Sequence, residues 1–389
     1  MKTKNKRIPY GKQWIGKEEI RAVTAVLKSD FLTQGPKVQE FEKNLAAFVG
    51  AKYAVAVSSG TAALHLAAMA LDLKPGDEVI TTPISFLATS NAALYVGAKP
   101  VFVDIDPETQ CLDPELIEGK ITPKTKAIFV TDFAGRVADL KAIAKLARKY
   151  KLRVVEDAAH SLGAADGKFK VGSCSHVDLT IFSFHPVKHI TTGEGGAVTT
   201  NDSAVYERLC CLRNHGVTRD PQAFRANRTG SWYYEMHELG FNYRLTDIQA
   251  AIGVEQLKKV KFFIRRRRQI AKMYDLAFAD LPFVKIPAST HLSEHVYHLY
   301  ILRLQGRLLT RRLMIFEELR NRGIGVQVHY VPLPLQPYYQ KLGYSVENLP
   351  QTTVYYYSAF SLPIFPKIKT EEVKRVIKAV KDVIFLCSK

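Results

Sequence analysis

With 389 residues, 47% of them hydrophobic and 24% charged, the chain has the composition of a globular protein and enough length for a large core and two domains. No apolar run reaches the ~20 residues of a membrane-spanning helix, and no apolar leader follows the basic start Met1-Lys2-Thr3-Lys4-Asn5-Lys6-Arg7. The expected setting is therefore the cytoplasm, with no membrane partner. The net charge of +18 admits nucleic acid, an anionic membrane surface or anionic small molecules, while five cysteines, odd in number and without ligand spacing, predict free thiols and no metal site.

Residues 1–35 read as an arm with a first helix, in which Ile20, Val23, Val26 and Leu27 share a face. Val38, Phe41, Leu45 and Phe48 predict a second amphipathic helix, stopped by Gly50. From residue 53 the rhythm becomes strand–helix–strand. Apolar runs at Ala54–Val57, Glu78–Ile80, Pro100–Val103, Ala127–Val130, Arg153–Val155, Leu179–Phe182 and Ala197–Thr199 read as strands. Helical patterns at Ala62–Ala70, Phe86–Val96 and Asp139–Lys151 fill gaps between them. Such alternation predicts an α/β layer around a mostly parallel seven-stranded sheet. Residues 36–245 form this large domain, and 246–389 form a long linking helix and a smaller C-terminal α/β domain. Within the latter, Tyr297–Leu304 and Val326–Val331 read as strands, Thr310–Asn321 as a helix, and Thr370-Glu371-Glu372 opens a last helix. The run Arg265-Arg266-Arg267-Arg268 has no aromatic interleaving and no nucleic-acid motif, so it reads as a solvated helix face.

Ligands of parallel sheets gather at the carboxyl ends of the strands, and three strand-end loops carry suggestive residues. Ser58-Ser59-Gly60-Thr61-Ala62-Ala63 combines hydroxyls, a glycine and a helix start, which suits a phosphate; plain helix capping is the alternative. Glu156-Asp157-Ala158-Ala159-His160 ends a strand with acids, which are costly there without a partner such as a pyridinium nitrogen. A strand-end Asp capping the next helix is again the plain alternative. The third loop is Ser183-Phe184-His185-Pro186-Val187-Lys188-His189-Ile190-Thr191-Thr192-Gly193-Glu194-Gly195-Gly196. A lysine in a desolvated loop loses basicity and can attack a carbonyl carbon to form a Schiff base. Lys188, Asp157, the Gly60–Ala62 and Ser183 hydroxyls and amides, and Phe86 as a ring cover together describe a pyridoxal 5'-phosphate (PLP) site.

The chain resembles the sugar aminotransferases of the DegT/DnrJ/EryC1/StrS type from about Ile8 to Phe365. Besides the three loops, Leu32-Thr33-Gln34-Gly35-Pro36, Pro75-Gly76-Asp77-Glu78-Val79-Ile80, Gly240-Phe241-Asn242-Tyr243-Arg244-Leu245-Thr246-Asp247 and Ser361-Leu362-Pro363-Ile364-Phe365-Pro366 carry the resemblance. It implies the PLP-dependent transferase fold type I, the aspartate aminotransferase-like fold. Trp232-Tyr233-Tyr234-Glu235-Met236 and Val328-His329-Tyr330-Val331-Pro332 resemble the PseC branch, although Pro334 stands where that branch usually carries His. That branch aminates carbon 4 of a UDP-linked 4-keto-6-deoxy-N-acetylhexosamine on the way to pseudaminic acid.

The resemblance implies that Lys188 links the cofactor and moves the proton, Asp157 pairs with the ring nitrogen, His160 sits near the ring hydroxyl and Phe86 stacks on the ring. Gly60, Thr61, Ala62 (by its amide) and Ser183 would hold the phosphate. Asn242 would reach the phosphate of the neighbouring subunit in a homodimer with shared sites. Tyr10, His329 and Tyr330 are candidate substrate contacts, and Arg225, Arg228 and Arg244 are candidates for a diphosphate by charge alone. L-Glutamate is the expected amino donor and a UDP-linked sugar the acceptor. Three rivals stand beside this reading. A dehydratase of the family would have His in place of Lys188, another member would act at carbon 3 or on a dTDP-sugar, and a regulator would bind PLP or nucleic acid without catalysis.

Overall fold

The computed structural model describes residues 7–226, 230–288 and 295–388. The basic segment before Arg7, and Arg228, lie outside the described residues.

Helices α1 (Lys17–Leu27) and α2 (Pro36–Val49) precede the large sheet. The sheet and its crossovers follow as β1 (Tyr53–Val57), α3 (Gly60–Ala70), β2 (Glu78–Thr81), α4 (Leu87–Tyr95), β3 (Lys99–Phe102), β4 (Thr125–Thr131), α5 (Leu140–Tyr150), β5 (Arg153–Asp157), β6 (Leu179–Ser183) and β7 (Gly196–Thr200). All seven expected strands form, in the order β1-β7-β6-β5-β4-β2-β3. Strand β7 runs antiparallel to both its neighbours, and the other pairings are parallel. The reversal has a local cause: the loop carrying Lys188 turns back as a hairpin, pairing Ser183 with Gly196.

The strands are continuous hydrophobic runs because both faces are covered. Val55, Val57, Val155, Ile181 and Val198 pack with residues of α3, α4 and α6 (Ser203–Leu212) on one side. Ala54, Ala56, Phe182 and Ala197 pack on the other with α2 and the first half of helix α7 (Asp247–Phe278). Each fully buried aliphatic or aromatic side chain contributes roughly 1.5–3 kcal/mol.

Helix α7 serves two cores. Ala250, Val254, Leu257, Val260, Phe263 and Ile264 face the large sheet's core, whereas Ile270, Ala271, Tyr274 and Phe278 enter a second one. The second core is closed by β8 (Val284–Lys285), β9 (Tyr300–Leu304), α8 (Arg312–Asn321), β10 (Ala359–Leu362) and α9 (Thr370–Ser388). Its three strands form an antiparallel sheet in sequence order.

Two expectations are corrected. Residues 326–331 form no strand; a single bridge joins Gln327 to Ser361, and beyond it the His329 ring bonds the Ser361 hydroxyl at 2.9 Å. The arginine run is not a solvated face either. Arg267 is buried and donates to the carbonyls of Tyr297, His298 and Ile364 at 3.1, 3.2 and 2.9 Å. Arg266 donates to Ile368 and Arg268 to His295, leaving Arg265 exposed. These carbonyls have no ladder partner there, and planar guanidinium groups satisfy several at once.

Candidate active site

The carboxyl ends of β1, β4, β5 and β6 open into a cavity of about 490 Å³. Its wall brings together Tyr10, Gly60, Thr61, Phe86, Asp157, His160, Ser183, Lys188, His329 and Tyr330. These come from regions spread over three hundred positions of sequence, and the sheet order places them side by side. Ala62 and Asn242 do not line it. Ala62 is buried in the first turn of α3, and its amide already donates to the Ser59 hydroxyl at 3.0 Å. Asn242 is exposed, in a bridge with Asn214. Arg244 donates to Asn214 at 2.6 Å and Arg225 is exposed, so neither is part of the wall.

The phosphate cup forms where β1 turns into α3. Ser59 caps the helix with its side chain, and Gly60 and Thr61 of the first turn of α3 line the cavity. Close approach requires glycine at two points. A Cβ on Gly60 would sit 2.9 Å from the Ser183 Cβ, and one on Gly196 would sit 2.4 Å from the Ser59 carbonyl oxygen.

Lys188 and Asp157 are the charged pair of the interior. Lys188 is half-buried overall because it faces the cavity, but the surrounding wall desolvates its amine and pulls it down to about 8, with the Asp157 charge opposing the fall. Burial raises the Asp157 carboxyl above the ordinary value, opposed by the Thr89 hydroxyl at 2.5 Å, the Ala159 amide at 3.1 Å and the Lys188 charge. Strand alternation sends its neighbour Glu156 to the opposite face, where it accepts from Thr180 at 2.6 Å. Only one carboxylate of the acidic pair therefore serves the cavity.

The remaining wall is imidazole and phenol. His160 is held neutral by burial and by the Lys188 charge, and it stacks on His298 with ring centres 4.2 Å apart. Tyr330 keeps its proton because it is buried, and its hydroxyl lies 3.3 Å from His160 Nε2. Burial pulls His329 down to about 3. Thr89, Thr131 and His298 were not legible as site residues. No motif marks them: the order of the large sheet brings Thr89 and Thr131 to this edge, and His298 reaches it from the segment before β9, where the Leu299 amide donates to the Ala134 carbonyl.

The residues present fit PLP. The nucleophilic amine, the buried carboxylate and the glycine-lined helix start face one cavity. In addition His160 Nδ1 and Thr131 Oγ1, both buried at its wall, have no hydrogen-bond partner among the described residues. A ligand with a polar ring and a phosphate would satisfy such groups.

The sequence model of the DegT/DnrJ/EryC1/StrS aminotransferase family matches residues 13–381. The chain is 42% identical to the spore coat polysaccharide biosynthesis protein SpsC of Bacillus subtilis, over 98% of both chains. It is 44% identical to an uncharacterized protein of Methanocaldococcus jannaschii over 97% of both. Among solved structures it is similar to PseC of Helicobacter pylori, an aminotransferase of pseudoaminic acid biosynthesis. That likeness has 34% identity, 98% of this chain and 100% of the other covered, and a TM-score of 0.91. A Streptococcus pneumoniae protein assigned as a sugar aminotransferase, solved in its PLP form, matches at 33% identity over 98% and 99% of the chains with a TM-score of 0.91. Among the described residues no helix is long and apolar enough to cross a membrane, and no group of three or more His, Cys, Asp or Glu could hold a metal.

Proposed function

From the premise that the chain belongs to the DegT/DnrJ/EryC1/StrS aminotransferase family, whose members use pyridoxal phosphate, we propose a specific reaction. The protein transfers the amino group of L-glutamate to carbon 4 of a UDP-linked 4-keto-6-deoxy-N-acetylhexosamine. It does so as a cytoplasmic homodimer with shared active sites. The observation that carries the aminotransferase reading is the desolvated Lys188 amine beside the buried Asp157 carboxylate, in a cavity that opens on the start of α3. Likeness to PseC over the whole chain supports the choice of sugar.

When bound, the cofactor supplies a ring that accepts an electron pair from the carbon losing its proton. Lys188 is the group that takes that proton and returns it to the acceptor's carbon, since its lowered basicity lets one amine serve as both base and acid near neutral pH. Asp157, fixed by the Thr89 hydroxyl and the Ala159 amide, would pair with the ring nitrogen and supply the negative charge that favours its protonated form. Phe86 at the cap of α4 would stack on the ring and His160 would sit near its hydroxyl. Gly60, Thr61 and Ser183 would hold the phosphate end, and Asn242 would serve the partner subunit's site. Tyr10, His329 and Tyr330, on the wall of the same cavity, would contact the substrate.

A second reading has one observation in its favour. Identity to SpsC, at 42%, exceeds identity to PseC, at 34%. Under it, the acceptor is a different nucleotide-linked keto sugar.

An absorbance titration separates these readings. The purified protein should show a visible cofactor band that bleaches with glutamate and returns with the UDP-linked 4-keto sugar. Return only with a dTDP-linked 4-keto sugar would select the second reading. The absence of any band after pyridoxal phosphate is added would overturn both.

A further inference from the structure

The Asp157 carboxylate cannot orient itself. It ends β5 in a buried position where an unpaired charge would be expensive. Two groups fix it: the Ala159 amide donates to Oδ1 at 3.1 Å, and the Thr89 hydroxyl donates to Oδ2 at 2.5 Å. Thr89 lies in the first turn of α4, three positions after Phe86, so one helix start sets both the cover of the ring space and the carboxylate below it. Each carboxylate oxygen keeps a second lone pair for a ligand N–H.

The start of α4 is itself held from a distance. The aromatic, proline-rich stretch after residue 332 has no role in the wall of the cavity, yet it packs as a small cluster of Phe102, Leu333, Tyr339 and Leu349. The buried Tyr339 hydroxyl meets Ser90 Oγ at 2.9 Å and Asn91 Oδ1 at 2.7 Å, the two residues after Thr89. The Leu333 amide donates to the Pro83 carbonyl at 3.0 Å, tying the same stretch to the loop before α4.

We propose that Thr89 is a positioning residue that fixes the orientation and negative charge of the Asp157 carboxylate, and that Tyr339 holds Thr89 in place from the C-terminal part of the chain. The inference rests on the assignment of Asp157 to the cofactor ring. Lys188 from the β6–β7 loop and Tyr330 from the segment after α8 are the other titratable groups acting on Asp157 from its own face, and the Glu156 carboxyl acts on it from the opposite face of β5. Of these only Lys188 favours the charged carboxylate, so removal of the Thr89 hydroxyl leaves the carboxylate more easily protonated.

The test compares Thr89→Val, Thr89→Ser and Tyr339→Phe with the wild type. Pyridoxal phosphate affinity is measured by equilibrium titration across pH, beside the melting temperature of each apo-protein. A hydrogen bond to a charged group predicts about 10- to 100-fold weaker binding for Thr89→Val near neutral pH. Retention should also be lost at a higher pH on acidification than in the wild type. Thr89→Ser should bind within about threefold of wild type, and Tyr339→Phe should move the midpoint in the same direction by less. An unmoved midpoint in both Thr89→Val and Tyr339→Phe would overturn the inference, whatever their melting temperatures. If Thr89→Val does not fold, Tyr339→Phe with an unmoved midpoint overturns it alone. Failure of the wild type to bind pyridoxal phosphate would instead overturn the cofactor site.

Discussion

The acid–base state of Lys188 can be tested directly through Asp157→Asn. The amine sits at about 8, against 10.5 for an ordinary lysine. At pH 7 about one-tenth of it is therefore neutral, compared with about one part in 3000 for an unperturbed side chain. The gain in reactive amine is about 300-fold. Burial drives the fall, and the Asp157 charge works against it. Removing that charge with an isosteric amide takes away the one opposing cause and must carry the amine still lower. The assay is the rate of covalent capture of pyridoxal phosphate by apo-protein, measured by stopped-flow absorbance over pH 5–10. The wild-type rate should rise with pH to a midpoint near 8, and the Asp157→Asn midpoint should fall below it. A wild-type midpoint above 10 would refute the desolvation of Lys188. A midpoint that stays put or rises in Asp157→Asn would refute the coupling between the two groups.

Further outcomes follow from other parts of the structure. Arg267→Met leaves three buried carbonyls unpaired, so urea unfolding should lose roughly 3 kcal/mol or more, while Arg265→Met at the exposed neighbour should stay within about 0.5 kcal/mol. Equal losses at both positions would restore the solvated-face reading of the run. Gly60→Ala places a methyl 2.9 Å from the Ser183 Cβ. It should weaken pyridoxal phosphate binding about tenfold or more in a titration, with a stability cost of about 1–3 kcal/mol. Lys188→Ala should abolish transamination while the oligomer survives in sedimentation, and residual turnover at the wild-type rate would remove the lysine from the mechanism. Asn242→Ala should weaken cofactor retention although the residue lies outside its own chain's cavity, and unchanged retention would remove the shared-site proposal.

The sheet was legible because its strands are short apolar runs buried on both faces, and each is bounded by turn residues or a helix. The site was legible where chemistry demands a residue type at a strand end: a lysine in a glycine-rich hairpin, an acid closing a buried strand, hydroxyls at a helix start. Residues 326–331 misled because an apolar pattern does not say how far a segment stays alongside an open strand edge. Here β10 is paired with β9 on one side only, and on its open side the segment makes the single Gln327–Ser361 bridge and then turns to the cavity. Arg267 misled for a different reason. Sequence records that four guanidinium groups are adjacent, but helical rotation decides which of them faces a protein wall, and the unpaired carbonyls it meets belong to residues about 30 and 97 positions away.

Thr89 shows where the limit lies. A threonine in the first turn of a helix is ordinary, and its 68-residue separation from Asp157 carries no periodicity. The pairing exists because β2 and β5 both flank β4, which sets the loop after β2 over the end of β5. That adjacency is a property of strand order, which hydrophobic patterns do not encode. The motif loops name the groups that touch a ligand. The groups that aim them, Thr89 behind Asp157 and Tyr339 behind Thr89, become visible only when the order of the sheet is known. For that reason the supporting residues are the sharper test of the site: if they move cofactor binding as predicted, the geometry, and not the motif alone, governs it.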